Sequence, residues 1–256
     1  MNKTILDLEV KHREVLNANY VLLKTTHKEK LPSMLPGQFA QLRVDNEPAV
    51  MLRRPISINF IDYTKNEVWF LIQCVGKGTE KLAQTTVGDT INTILPLGST
   101  FTIPEDTTQS VLLVGGGVGV APLLFLGSVL KDKGFNPTFL LGARTDKDLL
   151  QLNDFKQFGR VLTTTENGSH GQKGFVIHHS IFQEETFDAI YTCGPRPMME
   201  AVAALAKDKG IECEVSLENM MACGIGACLC CVEETTTGNV CTCTEGPVFN
   251  TKKLLW

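Results

Sequence analysis

Val111-Leu-Leu-Val114, followed directly by Gly115-Gly-Gly-Val-Gly119 and then by Ala121-Pro-Leu-Leu-Phe-Leu126, is the stretch on which the fold turns. Four consecutive apolar residues suit a strand buried on both faces. The glycines end that strand, and a helical pattern runs on to Leu130. Glycines at such a junction let the backbone approach a pyrophosphate, and the helix N-terminus offers N–H groups and the positive end of its dipole. The order departs from the usual dinucleotide fingerprint. Counted from Gly115, the third glycine of G-x-G-x-x-G is replaced by Val120, and Arg144 stands where an acidic residue would end the next strand. Arg144 is placed either to meet a 2′-phosphate or to serve as an ordinary loop residue.

Downstream, Thr138-Phe-Leu-Leu141, Arg160-Val-Leu-Thr-Thr164, Asp188-Ala-Ile-Tyr-Thr192 and Glu212-Cys-Glu-Val-Ser-Leu217 read as further strands, with an alanine-rich helix over Met198–Lys207. Strands alternating with helices predict a parallel, doubly wound sheet. Upstream the pattern differs. Tyr20–Lys24, Phe39–Val44, Pro55–Phe60 and Glu67–Val75 are short β-rich runs bounded by Pro, Gly, Asn or Asp, with turns at Pro36-Gly37 and Asn46-Glu-Pro48. Such spacing without long helices predicts a small antiparallel barrel. The fold class is therefore β plus α/β.

The C-terminal tail carries Cys223-Gly-Ile-Gly-Ala-Cys228-Leu-Cys230-Cys231 and then Cys241-Thr-Cys243. Cys223, Cys228 and Cys231 form C-x4-C-x2-C, the plant-type spacing for a 2Fe–2S cluster, and Cys243 offers a fourth thiolate. Structural zinc is the competing reading, but zinc knuckles usually pair two C-x2-C units and one is present. Nine cysteines, an odd number with six between Cys223 and Cys243, do not suit a disulfide framework. A net charge of −4 supplies no basic face for nucleic acid. No run reaches 18 apolar residues, so no membrane span is expected. The N-terminus, acidic at Asp7, lacks a signal-peptide pattern, and a reducing cytoplasm suits the thiols.

Arg54-Pro-Ile-Ser57, Gly76-Lys-Gly-Thr79, the Gly115–Pro122 loop and Cys193-Gly-Pro-Arg-Pro-Met198 together resemble the ferredoxin–NADP reductase superfamily. Glu218-Asn-Met-Met-Ala-Cys223 and Cys243-Thr-Glu-Gly-Pro-Val-Phe249 narrow the resemblance to electron-transfer subunits of NAD-dependent dihydroorotate dehydrogenases. That resemblance implies three parts: a FAD-binding barrel over 1–102, an NAD-binding domain over 103–217 and a 2Fe–2S tail over 218–256. It implies Arg54, Pro55, Ile56 and Ser57 at FAD, with Arg54 on the phosphates and Ser57 near the reactive flavin nitrogen. Leu71, Ile72 and Gln73 would run along the flavin, and Gly78 and Thr79 would hold the pyrophosphate. Gly115, Gly116, Gly117 and Gly119 would cradle NAD, and Cys193 and Glu218 would lie near the nicotinamide, making Ser57, Cys193 and Glu218 the catalytic set. The family pattern also selects Cys243 over Cys241 as the fourth cluster ligand.

The resemblance further implies a partner, an FMN-containing catalytic subunit that oxidises dihydroorotate, assembled as two of each chain. Electrons would pass from that FMN through the cluster and FAD to NAD+, in pyrimidine biosynthesis. The flavin does the hydride chemistry in such a scheme, so no Ser–His–Asp set is needed, and none is evident. Two rivals stand beside this reading: a reductase of the same superfamily exchanging electrons between NAD(P)H and ferredoxin or sulfur species, and a zinc-stabilised binding module. Taken singly, Arg53 and Arg54 read as solvated charge, Cys193 as a small core residue and Glu218 as a surface carboxylate.

Overall fold

Seven antiparallel strands make the first sheet of the computed structural model, which describes residues 3–256. They are β1 (Thr4–Asn17), β2 (Tyr20–Thr26), β3 (Phe39–Leu42), β4 (Arg54–Ser57), β5 (Phe60–Asp62), β6 (Glu67–Gln73) and β7 (Thr90–Leu97), in the order β4-β3-β7-β1-β2-β6-β5. The sheet curls into a half-barrel in which β4 approaches β6. Leu8, Leu22, Leu23, Val68, Phe70 and Ile72 fill its core. A short helix, α1 (Lys77–Ala83), follows β6.

Two of these strands, β1 and β7, lie outside the sequence prediction. β1 buries Leu8 and Val10 among charged residues, so its apolar alternation is weak. The run predicted as one strand from Pro55 to Phe60 is split into β4 and β5. At the break the Ile58 N–H donates to Gln38 O and the Asn59 N–H to Trp69 O, turning the chain from one neighbour to another.

The second unit is a seven-stranded sheet. β8 (Val111–Gly116), β9 (Thr138–Ala143), β10 (Arg160–Thr165), β11 (Gln172–Lys173), β12 (Ala189–Cys193) and β13 (Glu212–Ser216) are parallel. Helices α2 (Ala121–Asp132), α3 (Leu152–Phe158), α4 (Ile181–Glu184) and α5 (Arg196–Asp208) connect them. The order β11-β10-β9-β8-β12-β13 reverses direction between β8 and β12. Such a switch point opens a crevice at the carboxyl ends of the strands, where ligands bind in this class of fold. Strand β8 is buried along its whole length, as its apolar run requires.

The tail adds a hairpin, β14 (Val232–Thr235) and β15 (Gly238–Cys241), and a final strand, β16 (Val248–Asn250), antiparallel to β13. Residues 218–256 are not a separate packing unit. Asn219–Glu233 and Asn239–Pro247 belong with the chain through Thr100, whereas Glu234–Gly238 and Val248–Trp256 belong with Phe101–Glu218. Among the described residues no helix is long and apolar enough to cross a membrane.

Candidate functional site

The cysteine loop wraps inward through its own backbone. Cys223 Sγ accepts the N–H of Ile225 at 3.4 Å and of Ala227 at 3.3 Å, and Cys243 Sγ accepts the Gly226 N–H at 3.1 Å. Cys231 Sγ accepts the Cys243 N–H at 3.4 Å. Leu229 bends the loop with φ of 56°, a left-handed value that a leucine adopts only under constraint. Burial opposes ionisation of Cys223, but hydrogen bonds from the Ile225 N–H, the Cys228 side chain and the Cys228 and Ala227 N–H groups outweigh it and bring the thiol down to about 6. Burial, then contact with Cys231, pushes Cys243 up to about 12.

The thiols lie close to one another. Cys223 meets Cys228, while Cys231 meets Cys243 and, more peripherally, Cys241. Cys223 lies near Cys243 and Cys241 as well. All nine cysteines are free of disulfides. Among the described residues no three His, Cys, Asp or Glu side chains gather as a single metal ion would require. Neighbouring thiols with N–H groups aimed at their sulfurs suit an anionic cluster, so these residues fit a 2Fe–2S group. Cys231 and Cys243 are buried in a small core with Phe39 and Leu97, flanked by Ile94 and Met221. Cys230 is exposed.

That core ties the cysteines to the barrel strand beside the expected flavin residues. Phe39 on β3 is the cross-strand partner of Ser57 on β4, and Gln41 is the partner of Pro55. Gln41 is fully buried, yet neither of its amide atoms has a hydrogen-bond partner. Each such orphaned group costs about 1–3 kcal/mol.

The two adjacent arginines separate in role. Arg53 donates to Gln41 O at 3.2 Å, to Asn92 O at 2.8 Å and to Asn92 Oδ1, clamping β3 to β7. Arg54 instead lies over Gly78, where an added Cβ would sit 2.3 Å from Arg54 Nε. Its Nη1 donates to Leu52 O and Arg53 O, leaving the edge above Gly78 open to an anion. Thr79 Oγ1 donates to Gly76 O at 3.1 Å and accepts the Val75 N–H at 3.0 Å, so its hydroxyl shapes the loop. Gly76 precedes helix α1 as its N-cap and offers no side-chain cap.

Leu71 and Ile72 are buried, and Gln73 donates to the Tyr20 hydroxyl at 3.1 Å. Strand β5 pairs with β6 over Glu67, Val68 and Trp69, so among the described residues the edge along Leu71–Gln73 has no partner strand on that side. A planar ligand placed there would meet backbone rather than the buried side chains. These features fit FAD.

In the second unit, Gly115–Gly119 and Cys193–Met198 leave β8 and β12 at the switch point, with Cys193 in register with Gly115 and Ser216. A Cβ on Gly119 would lie 2.4 Å from Gly194 Cα, so the two loops touch backbone to backbone. The turn Gly117–Val120 runs straight into α2, where the Ala121 N–H donates to Val118 O and Pro122 has none, so the glycine loop rather than α2 offers backbone to a phosphate. Cys193 is buried, with Sγ 3.9 Å from Glu218 Oε1. Burial, followed by the neighbouring Glu218 charge, holds the Cys193 thiol well above its ordinary value. Glu218 keeps a solvent-facing side, but desolvation raises its carboxyl above the usual range. Arg144 is exposed just past β9. These features fit a dinucleotide. Sequence reasoning did not find Phe39 or Gln41, which carry no motif.

Comparison with known proteins agrees with both halves. Residues 218–255 match the iron–sulfur cluster binding domain of dihydroorotate dehydrogenase B, and residues 113–204 match the oxidoreductase NAD-binding domain. The dihydroorotate dehydrogenase B (NAD(+)) electron transfer subunit of Shouchella clausii (strain KSM-K16) is 40% identical over 245 residues, covering 94% of this chain and 93% of its own. Its counterpart from Geobacillus sp. (strain WCH70) is 38% identical, covering 94% of each chain. A solved structure described as "Insights into flavin-based electron bifurcation via the NADH-dependent reduced ferredoxin-NADP oxidoreductase structure" superposes with a TM-score of 0.87 and 30% identity, covering all of this chain and 92% of its own. A ferredoxin reductase of carbazole 1,9a-dioxygenase, 21% identical with a TM-score of 0.70, covering 82% of this chain and 67% of its own, shares the fold. The chain belongs to the family of dihydroorotate dehydrogenase B (NAD(+)) electron transfer subunits.

Proposed function

We propose that this chain carries electrons from the FMN of a dihydroorotate-oxidising partner subunit, by way of a 2Fe–2S cluster and FAD, to NAD+ in pyrimidine (UMP) biosynthesis. The observation that carries the reading is Phe39, which packs on Cys231 and Cys243 while its cross-strand partner is Ser57. Cluster ligands thus pack on the strand pair that carries the flavin-side residues, within one unit. When bound, the flavin supplies two-electron hydride chemistry and the cluster one-electron chemistry.

The chain's own residues bind, orient and shield. Cys223, Cys228, Cys231 and Cys243 hold the cluster, with the loop N–H groups offsetting its negative charge. Arg54 neutralises the FAD phosphates beside Gly78 and Thr79, Pro55 and Ile56 line the ring, and the Ser57 hydroxyl donates toward the reactive flavin nitrogen. Backbone of Leu71, Ile72 and Gln73 faces the ring edge. Gly115, Gly116, Gly117 and Gly119 hold the dinucleotide phosphates. Cys193, buried at the end of β12, and Glu218, on the exposed side of it, border the nicotinamide.

The chain does not oxidise dihydroorotate itself, because its two sheets are assigned to FAD and NAD and it has no eightfold strand–helix barrel among the described elements. A partner subunit with FMN, two of each chain, supplies that step. Met220, Ile225 and Leu229 are 85%, 46% and 65% exposed around the cysteine loop, an apolar surface suited to such docking. The free thiols suit the cytoplasm.

The superposition with the ferredoxin-NADP oxidoreductase structure favours one second reading, a subunit of a bifurcating or ferredoxin-linked reductase. Copurification decides. Anaerobic isolation with iron, sulfide and flavin counted per chain is expected to give a 2Fe–2S and FAD protein bound to an FMN subunit and reduced by dihydroorotate. A glutamate-synthase-like flavoprotein partner, or a colourless chain, overturns the proposal.

A further inference from the structure

We infer that Gln41 donates a side-chain N–H to a sulfur of the cluster and thereby raises the cluster's reduction potential, an assignment that rests on the cluster reading above. Three observations converge. Gln41 is 0% exposed, and both Nε2 and Oε1 are sealed from solvent without a partner. Among the described residues it is the one side chain with two such atoms. Its amide also lies against the ligand loop: a Cβ on Gly224, the residue after Cys223, would fall 2.6 Å from Gln41 Nε2.

Strand geometry supplies the third observation. Side chains alternate faces along a strand, so Phe39 and Gln41 project from the same side of β3. Phe39 packs on Cys231 and Cys243, which places Gln41 on the face that carries the thiols. A leucine would fill this position at lower cost. An amide pressed between the barrel and the cysteine loop makes sense where a sulfur acceptor takes its N–H.

The direction of the effect follows from charge. One-electron reduction places an additional negative charge on the cluster and its thiolates, and a hydrogen-bond donor stabilises that state more than the oxidised one. Gln41 is therefore a positioning and tuning residue.

The test is an anaerobic redox titration of the assembled complex, parent and Gln41→Leu, followed by electron paramagnetic resonance of the reduced cluster and by flavin absorbance. Gln41→Leu is expected to keep iron, sulfide and flavin while the cluster potential falls. At a fixed solution potential the ratio of reduced to oxidised cluster drops about tenfold, equal to about 59 mV for one electron. Flavin potentials stay in place. A retained cluster with unmoved potential, or a shift confined to the flavin, overturns the assignment. Should Gln41→Leu lose its iron, parent protein carrying amide-15N glutamine decides by pulsed resonance. A 15N coupling that disappears in protein grown with unlabelled glutamine supports the bond, and its absence overturns it. A parent with no 2Fe–2S signal instead refutes the cluster reading, and the Gln41 assignment with it.

Discussion

Gly226 gives its backbone N–H to Cys243 Sγ at 3.1 Å, joining the tip of the cysteine loop to a thiol seventeen residues further along. Cys241, two residues earlier, uses its carbonyl in a local turn by accepting from Thr244 and Glu245, and among the described residues its thiol, though near Cys231, receives no backbone N–H from the loop. Cys243→Ala is therefore expected to abolish the visible cluster absorption and the bound iron, with Cys241→Ala retaining both. Iron and sulfide assays on the two variants check this, and the reverse outcome reassigns the fourth ligand.

Flavin retention depends on how Arg54 lies over Gly78. The clashing atoms for an added methyl belong to the flexible end of Arg54, so Gly78→Ala displaces the guanidinium rather than the backbone. FAD affinity is expected to fall about 10–100-fold, equal to about 1.4–2.7 kcal/mol, with the far-ultraviolet circular dichroism unchanged. Fluorescence titration of the flavin-free chain with FAD measures it. Arg54→Ala gives a similar loss, and unaltered affinity in both variants removes Arg54 from the flavin site.

Gly119→Ala meets backbone, which cannot swing aside. With Gly194 Cα and N both 2.4 Å from the new Cβ, the β8 and β12 loops must separate. Overpacking of this kind costs about 1–3 kcal/mol. A lower thermal midpoint and weaker NAD binding by calorimetry are expected, with FAD and iron content preserved.

Glu218→Gln tests the raised carboxyl. A folded-state pKa above the unfolded value means that the native state prefers the protonated form. Below the unfolded carboxylate range both states are protonated and the substitution changes nothing. As pH rises through that range toward the folded value, the parent loses stability and the glutamine variant does not. Denaturant midpoints across pH are therefore expected to coincide in acid and diverge toward neutrality in favour of Glu218→Gln. Parallel curves at every pH contradict the desolvated placement.

Ile225→Glu and Leu229→Lys place charges on the exposed apolar rim of the loop. Both are expected to keep flavin and cluster but to lose the copurifying catalytic subunit, as seen by size-exclusion chromatography. An intact complex in both variants moves the docking surface elsewhere.

Much of this protein was legible because its signals are short-range. The buried run Val111–Val114, the glycine loop and the alternating elements to Leu217 announce a doubly wound sheet, and it forms as expected. β1 escaped notice because its core contact rests on Leu8 and Val10 amid charged residues, a weak period. The split of Pro55–Phe60 was hidden because it depends on bonds to Gln38 and Trp69, distant in sequence.

The sequence by itself determined the kinds of chemistry: C-x4-C-x2-C and a loop of glycines leading into a helix are local patterns whose geometry follows from spacing and backbone freedom. Tertiary structure decided which residue of each pair takes which role. Arg53 clamps strands while Arg54 faces Gly78, and Cys193 meets Glu218 across two adjacent strand ends. Phe39 comes to the thiols, and Gln41 to the loop at Gly224, through strand register alone. Those outcomes depend on long-range pairing, where a shift of one residue would turn each side chain to the opposite face.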